Sequence, residues 1–308
     1  MDFNFSEKLS AEQKNFLRIF AISCRRTILK MVQNSQSGHP GGSLSNLDFL
    51  AILYETRLIF SGEKIVISNG HISAGVYSIL AEIGAIDKKN LIANFRKFGS
   101  IFEGHVSRHV PGIFFGTGPL GVGISVAAGF AVAEKLKKNF DQKIFCTIGD
   151  GEMQEGQVHE AALFAAAQKL ENLVVFVDWN RVQLSGKISE ILPFDPRKFF
   201  EEKNWNMLEI DGHDADEIFS AINFAPKNSM PTAIVGRTIM GRGVEFMEKD
   251  GRNFLSTWHG KTPKKNEIDE ILREKNLQIS DDEKIILQNF RDQFSAKFLE
   301  KIPAPLKI

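Results

Sequence analysis

Apolar residues recur along this chain in two spacings that alternate from one end to the other. Phe16, Leu17, Phe20 and Ile28 fall at helical spacing behind a capping box formed by Ser10 and Gln13, which predicts a helix to about Val32. The same period predicts helices over Ser45–Leu58, Ser73–Ile83, Leu120–Lys138, Glu155–Leu170 and Ala215–Asn223. Between them stand short apolar, β-branched runs at Lys64–Ile67, Ile144–Ile148, Leu173–Val177, Met207–Ile210 and Thr232–Val235, which predict strands. Runs apolar on both faces favour a parallel strand buried between helices, so the expected fold class is α/β, a parallel sheet flanked by helices on both faces. The last stretch differs. Asp281–Glu300 reads as an amphipathic helix with Ile285, Ile286, Phe290, Phe294 and Phe298 on its stripe, followed by Pro303 and Pro305. That stripe needs a surface, either this domain or a partner. The expected organisation is one domain over 1–262 and a C-terminal helical tail over 263–308.

Candidate chemistry concentrates at the ends of two strands. Gly149-Asp150-Gly151 follows the run ending at Ile148, and Asn180 follows the run ending at Val177. A turn of this kind bends the backbone tightly, puts a carboxylate on the bend and exposes N–H groups, a combination able to hold a metal against a diphosphate. Two strand ends joined by one helix can lie side by side. Asp150, the Asn180 side-chain oxygen and a main-chain oxygen such as that of Val182 then form a hard ligand set suited to Mg²⁺ or Ca²⁺, with roughly six positions filled in total. The alternative is a plain structural turn.

Composition narrows the setting. Among 308 residues, 38 Lys and Arg balance 38 Asp and Glu, so no net field favours nucleic acid or an anionic membrane. Met1–Glu7 has neither a basic region nor an apolar core of signal-peptide length, and Gly121–Ala133 is shorter than the ~20 residues a bilayer requires. It reads as a buried helix. Cys24 and Cys146 lack metal spacing and read as buried thiols of a reducing compartment, giving a cytoplasmic expectation.

Seven segments in order resemble the N-terminal, diphosphate-binding half of transketolase, a thiamine diphosphate enzyme: Ser37–Ser45, Ser68–Gly84, Glu103–His105, Thr117–Gly123, Gly149–Ala161, Ile210–Asp214 and Trp258–Gly260. The resemblance covers roughly residues 10 to 262. It implies thiamine diphosphate and Mg²⁺ as cofactors, sugar phosphates as substrates and transfer of a two-carbon ketol unit. It also implies that His71 and His259 face the diphosphate and the reacting carbon, while His39 and His105 contact substrate hydroxyls. Gly118, Pro119 and Leu120 are implied to touch the cofactor, as are Gly149, Gly151 and Asn180. Glu155 and Glu160 are implied to line the interface between two active sites; as early-helix acids they also suit the positive end of a helix dipole. The family's pyrimidine-binding domain, which carries its activating glutamate, does not follow here. A split enzyme is therefore expected: a homodimer of this chain, inactive until joined by a C-terminal transketolase subunit.

Several residues depart from the family pattern. Asn69 and Met240 stand where lysines approach the cofactor or substrate phosphate, Arg181 where glycine follows the metal-binding Asn, and Val122 where Gln is common. Glu248–Thr257 resembles an insertion. Arg181, Arg237 and Arg242 are the candidates to restore the lost charge, though Arg and Lys differ in reach and hydration. These changes leave room for two other readings, a thiamine-dependent enzyme half with a different ketose donor and a cofactor-binding homologue without activity.

Overall fold

The computed structural model of the chain describes residues 8–139, 141–224 and 228–307, so the reading of Met1–Glu7 lies outside the described residues. Its centre is a parallel five-stranded sheet of β1 (Lys64–Ile67), β2 (Ile144–Gly149), β3 (Leu173–Trp179), β6 (Asn206–Asp211) and β7 (Thr232–Arg237), in the order β1-β2-β3-β7-β6. A two-residue hairpin, β4 (Val182–Gln183) with β5 (Gly186–Lys187), projects beyond β3.

Strand alternation sorts the core into two layers. Ile65, Ile67, Phe145, Val174, Phe176 and Ile234 point to one side, where the helices Ala11–Ser35, Leu47–Leu53 and Ser73–Ile83 cover them. Val66, Cys146, Ile148, Val175, Val177 and Val235 point to the other, beneath Val122–Leu136 and Gly156–Ala167. Each interior strand is apolar on both faces for this reason. β6 is the exception: it is an edge strand, and Glu209 reaches outward to Arg197 and Arg237.

The capping box at Ser10 and Gln13 is present, and its helix runs to Ser35. Ser73–Ile83 and Lys64–Ile67 fall on their predicted bounds. The helix predicted over Ser45–Leu58 instead begins at Pro40 and breaks at Asn46. The Asn46 side chain turns inward to donate to Thr147 Oγ1 of β2, and the last turn, Tyr54–Leu58, widens into a π-helix. The Val122–Leu136 helix buries one face only, since Gly129 and Leu136 are exposed. The tail helix, Asp281–Lys301, turns Leu287, Phe290, Phe294 and Phe298 into this chain's core, with Phe290 4.6 Å from Phe16, whereas Ile285 of the expected stripe is exposed and Ile286 only partly buried. Both cysteines are free and buried. Among the described residues no helix is long and apolar enough to cross a membrane.

Candidate active site

The carboxyl ends of β1, β2 and β3 open into a cavity of about 400 Å³, the position at which parallel α/β sheets present ligands. Parallel register sets its floor. Gly149 pairs with Asp178, so Asp150 emerges one residue past β2 beside the end of β3, where Asn180 emerges in turn. The Asp150 carboxylate is buried and accepts from the N–H groups of Gly151 (2.8 Å) and Arg181 (2.5 Å). Asn180 accepts from Val182 N–H at 2.9 Å and donates to Ser45 Oγ and Asp178. Burial, and then the charge of Asp178, hold the Asp150 carboxyl well above the usual carboxylate range.

The same cavity carries four imidazoles. His39 precedes the helix at Pro40, His71 sits in a short 3-10 turn after β1, His105 in a loop, and His259 in a four-residue helix. Their rings cluster: His39 stands 5.3 Å from His71, 5.8 Å from His259 and 6.3 Å from His105, and His71 is 5.4 Å from His259. Burial is the first cause that lowers all four pKa values, with the neighbouring imidazoles disfavouring a charge at His39 and His71, and Arg96 doing so at His39 and His105. His71 falls to about 3 and His39 to about 4. All four rings are therefore neutral at pH 7, able to accept a proton or donate one N–H.

This has a measurable consequence for stability. His39 and His71 are neutral in the folded chain down to their lowered values, but protonate near 6.5 when unfolded. The unfolded state thus binds more protons below 6.5, so this contribution is present in full above that pH and is lost as pH falls toward the folded values. The buried acids slope the opposite way, which makes the useful quantity a difference. His71→Asn is expected to gain relative to wild type by up to about 2 kcal/mol between pH 7 and pH 4.5 in urea unfolding. An identical pH slope in the two proteins would contradict the burial of this ring.

The cavity brings together most of the residues named from the sequence. His39, His71, His105, His259, Gly118, Leu120, Gly149, Asp150, Gly151, Glu155, Asn180 and Val182 all line it. Pro119 is exposed and outside the lining, and Glu160 lies exposed on the next turn of the Gly156–Ala167 helix. Glu155 occupies the position before that helix without a side-chain capping hydrogen bond. The described residues hold no group of three or more His, Cys, Asp or Glu that could bind a metal ion.

Two buried acids escape the sequence reading. Asp178 accepts from Ser45, Thr238 and Asn180, and it lies two residues before Asn180 on the same strand end, a spacing that strand alternation makes legible. Glu152 accepts from Ser68 and from the N–H groups of Gly121 (2.7 Å) and Gly149 (3.0 Å), tying three loops together. The hairpin residues Gln183, Leu184 and Ser185 also reach the lining.

The departures separate in space. Asn69 is buried in the lining, with its Oδ1 unpartnered. Met240 is buried against Gly41 and Gly251, outside the lining, so the charge change at the cavity rests on Asn69. Arg181 adopts the left-handed region (φ 66°), which costs a non-glycine residue about 1 kcal/mol, and its guanidinium lies 4.7 Å from the Phe254 ring of the insertion-like stretch.

Comparison with known proteins gives the family. The family model for "Transketolase, thiamine diphosphate binding domain" matches residues 18–302. One of the subunits of the apulose-4-phosphate transketolase of Phocaeicola vulgatus is 33% identical over 276 residues, covering 84% of this chain and 94% of that protein. The 6-deoxy-6-sulfo-D-fructose transketolase subunit SqwG of a Clostridium species is 34% identical over 252 residues, covering 77% and 90%. The transketolase of Campylobacter jejuni superposes with a TM-score of 0.79 at 30% identity, covering 93% of this chain and 48% of that one. The chain thus spans about half the length of the solved transketolases and most of the length of the relatives that are themselves transketolase subunits. It belongs to the transketolase family, as a thiamine diphosphate-binding chain of the kind found in split transketolases.

Proposed function

We propose that this chain is the N-terminal subunit of a heteromeric, cytoplasmic transketolase that moves a two-carbon ketol unit from a ketose phosphate to an aldose phosphate. The observation that carries the reading is one cavity lined by four neutral imidazoles together with Asp150 and Asn180. The cavity fits the cofactor by its unmet hydrogen-bonding groups: His39 Nδ1, His259 Nδ1 and Asn69 Oδ1 are buried without a partner. Gly118 leaves open space where a side chain would project. Buried polar atoms without partners on residues that line a cavity, with a buried carboxylate in the same lining, are groups that a polar ligand and a divalent cation would relieve.

In this reading Asp150, Asn180 and the Val182 carbonyl hold Mg²⁺, or Ca²⁺ in its place. Asn180 Oδ1 retains a lone pair beyond the one given to Val182 N–H. Gly149 and Gly151 let the turn approach the diphosphate. Thiamine diphosphate, when bound, supplies the carbon nucleophile and electron sink for breaking and remaking a carbon–carbon bond. This chain's part is positioning and proton handling: neutral His71 and His259 accept or return protons at the reacting centre, while His39 and His105 hold substrate hydroxyls. Leu120 and Leu184 shield the mouth from water. Residues 1–262 form the cofactor domain and 263–308 a helical tail whose apolar stripe is spent on that domain.

The relatives that are single subunits of split transketolases support a partner chain carrying the pyrimidine-binding domain, and with it the activating glutamate. Mixed with such a partner, thiamine diphosphate and Mg²⁺, the chain is expected to turn over xylulose 5-phosphate with an aldose phosphate acceptor, and to be inactive alone. Turnover of other ketoses only would favour the reading with a different donor, and no turnover by a cofactor-loaded complex would favour the inactive homologue. Asn69, in the lining where a lysine is expected, is the residue that keeps a different donor in view.

Assembly is the next expected outcome. Leu120, Leu163 and Phe164 are exposed apolar side chains near Glu155 and Glu160, a surface suited to a symmetric contact between two copies. Light scattering is expected to give a homodimer that recruits two partner chains, and Phe164→Asp to shift the chain to monomer. A wild-type chain that stays monomeric with its partner present would contradict this assembly.

A further inference from the structure

Arg181, Arg237 and Arg242 do not enter the histidine cavity. They gather with Arg252 around a second cavity of about 430 Å³ that shares no lining residue with the first. Asp211 is the one carboxylate in this lining, against four guanidiniums. The acids behind them are shared: Glu248 is bonded by both Arg242 (2.7 Å) and Arg252 (2.6 Å), and Glu209 by both Arg237 (2.6 Å) and Arg197 (3.1 Å). Among the described residues Arg181 has the Phe254 ring as a neighbour and no carboxylate within ion-pair distance. His213 closes the wall, its Nε2 accepting from Ile239 N–H and its Nδ1 facing Asp48.

Each guanidinium presents five donors in a fixed fork, and one shared carboxylate cannot occupy two forks in full. Donors and positive charge therefore remain directed at a void larger than a bare anion. Arg181 strengthens the point, because it keeps a long cationic side chain at a left-handed position that glycine would occupy without strain. We propose that this cavity binds a phosphate-type dianion, either free phosphate or the phosphomonoester group of a small metabolite, at a site distinct from the histidine cavity. The two sites meet at one peptide unit, for the N–H of Arg181 holds Asp150 Oδ2 while its side chain lines the arginine cavity. An anion there is placed to influence the metal-binding carboxylate.

Calorimetry on the full chain at low ionic strength tests the proposal, with inorganic phosphate and ribose 5-phosphate as separate probes and chloride as the ionic control. Both phosphates are expected to bind and chloride not to compete at equal ionic strength. Tighter binding of ribose 5-phosphate assigns the phosphomonoester, and equal binding assigns the free anion. Arg181→Gly, which suits the backbone, and Arg237→Gln, which is exposed, are each expected to weaken binding tenfold or more. His259→Ala, in the other cavity, is expected to change it less than twofold. Retention of wild-type affinity in both arginine variants, loss in His259→Ala, or no phosphate binding at all would overturn it, the last leaving an acidic segment of the partner chain as the occupant.

Discussion

Asp150→Ala is expected to remove Mg²⁺-dependent binding of thiamine diphosphate while the cofactor-free chain keeps its fold. Both carboxylate oxygens are already engaged by backbone N–H groups, and the side chain is buried beside Asp178. Without a cation, that pairing is unfavourable: burial disfavours the charge, and Asp178 adds repulsion. Deleting the carboxylate therefore relieves one cost as it removes two hydrogen bonds, and the apo stability should shift by no more than about 1 kcal/mol. Cation binding has no such compensation. Asn180 and a main-chain oxygen cannot neutralise a divalent ion alone, so cofactor affinity should fall by about 10² or more. Calorimetric titration of the cofactor with Mg²⁺ into the assembled complex gives the answer, and unchanged affinity would sink the metal assignment. Asp178→Asn separates the two acids: it removes repulsion but leaves the ligand set, so it should disturb the bonds to Ser45 and Thr238 more than cofactor binding.

The residues legible in the sequence are those whose role follows from local pattern. β2 and β3 show themselves as apolar runs, and their register makes the proximity of Asp150 and Asn180 predictable from the strand ends alone. The four histidines are legible only through resemblance, because nothing in their spacing says that a loop residue such as His105 meets His39, which in turn meets His259 across more than two hundred positions. Glu152 is invisible for a different reason. An acid after a turn reads as solvated, and only tertiary structure shows it buried under Ser68, Gly121 and Gly149. Met240 illustrates the reverse error: the family pattern places a phosphate-facing residue there, whereas the backbone of Gly251 and the close approach of Gly41 enclose it. The arginines stand out singly in the sequence, but the cavity they share depends on the Glu248–Thr257 stretch, whose first residues complete the Glu245–Arg252 helix and which carries Arg252 and Phe254 to Arg181.

His259→Ala is expected to lower turnover of the assembled, cofactor-saturated complex by about 10² or more, beyond any loss of thiamine diphosphate affinity. The ring is held rigidly from behind. Trp258 Nε1 donates to Asp250 at 2.8 Å and its indole packs edge-on against Phe246, so the four-residue helix presents His259 to His71 and His39 at a fixed separation. Its Nδ1 is buried without a partner, and burial lowers its pKa, which is the basis of the proposed role as a neutral base. Those are the properties required of a group that handles a proton or stabilises oxygen charge in a transition state, and a structural histidine has neither requirement. The variant therefore separates catalysis from scaffolding. A structural role predicts lost stability or cofactor affinity with kcat preserved in the loaded complex; the catalytic role predicts a fall in kcat that saturating cofactor does not restore, and a His259→Asn variant, which keeps the size and one donor but cannot take up a proton near neutrality, should recover little of the rate. Equal kcat in wild type and His259→Ala would remove this ring from the mechanism and leave His71 as the proton-handling group of the cavity.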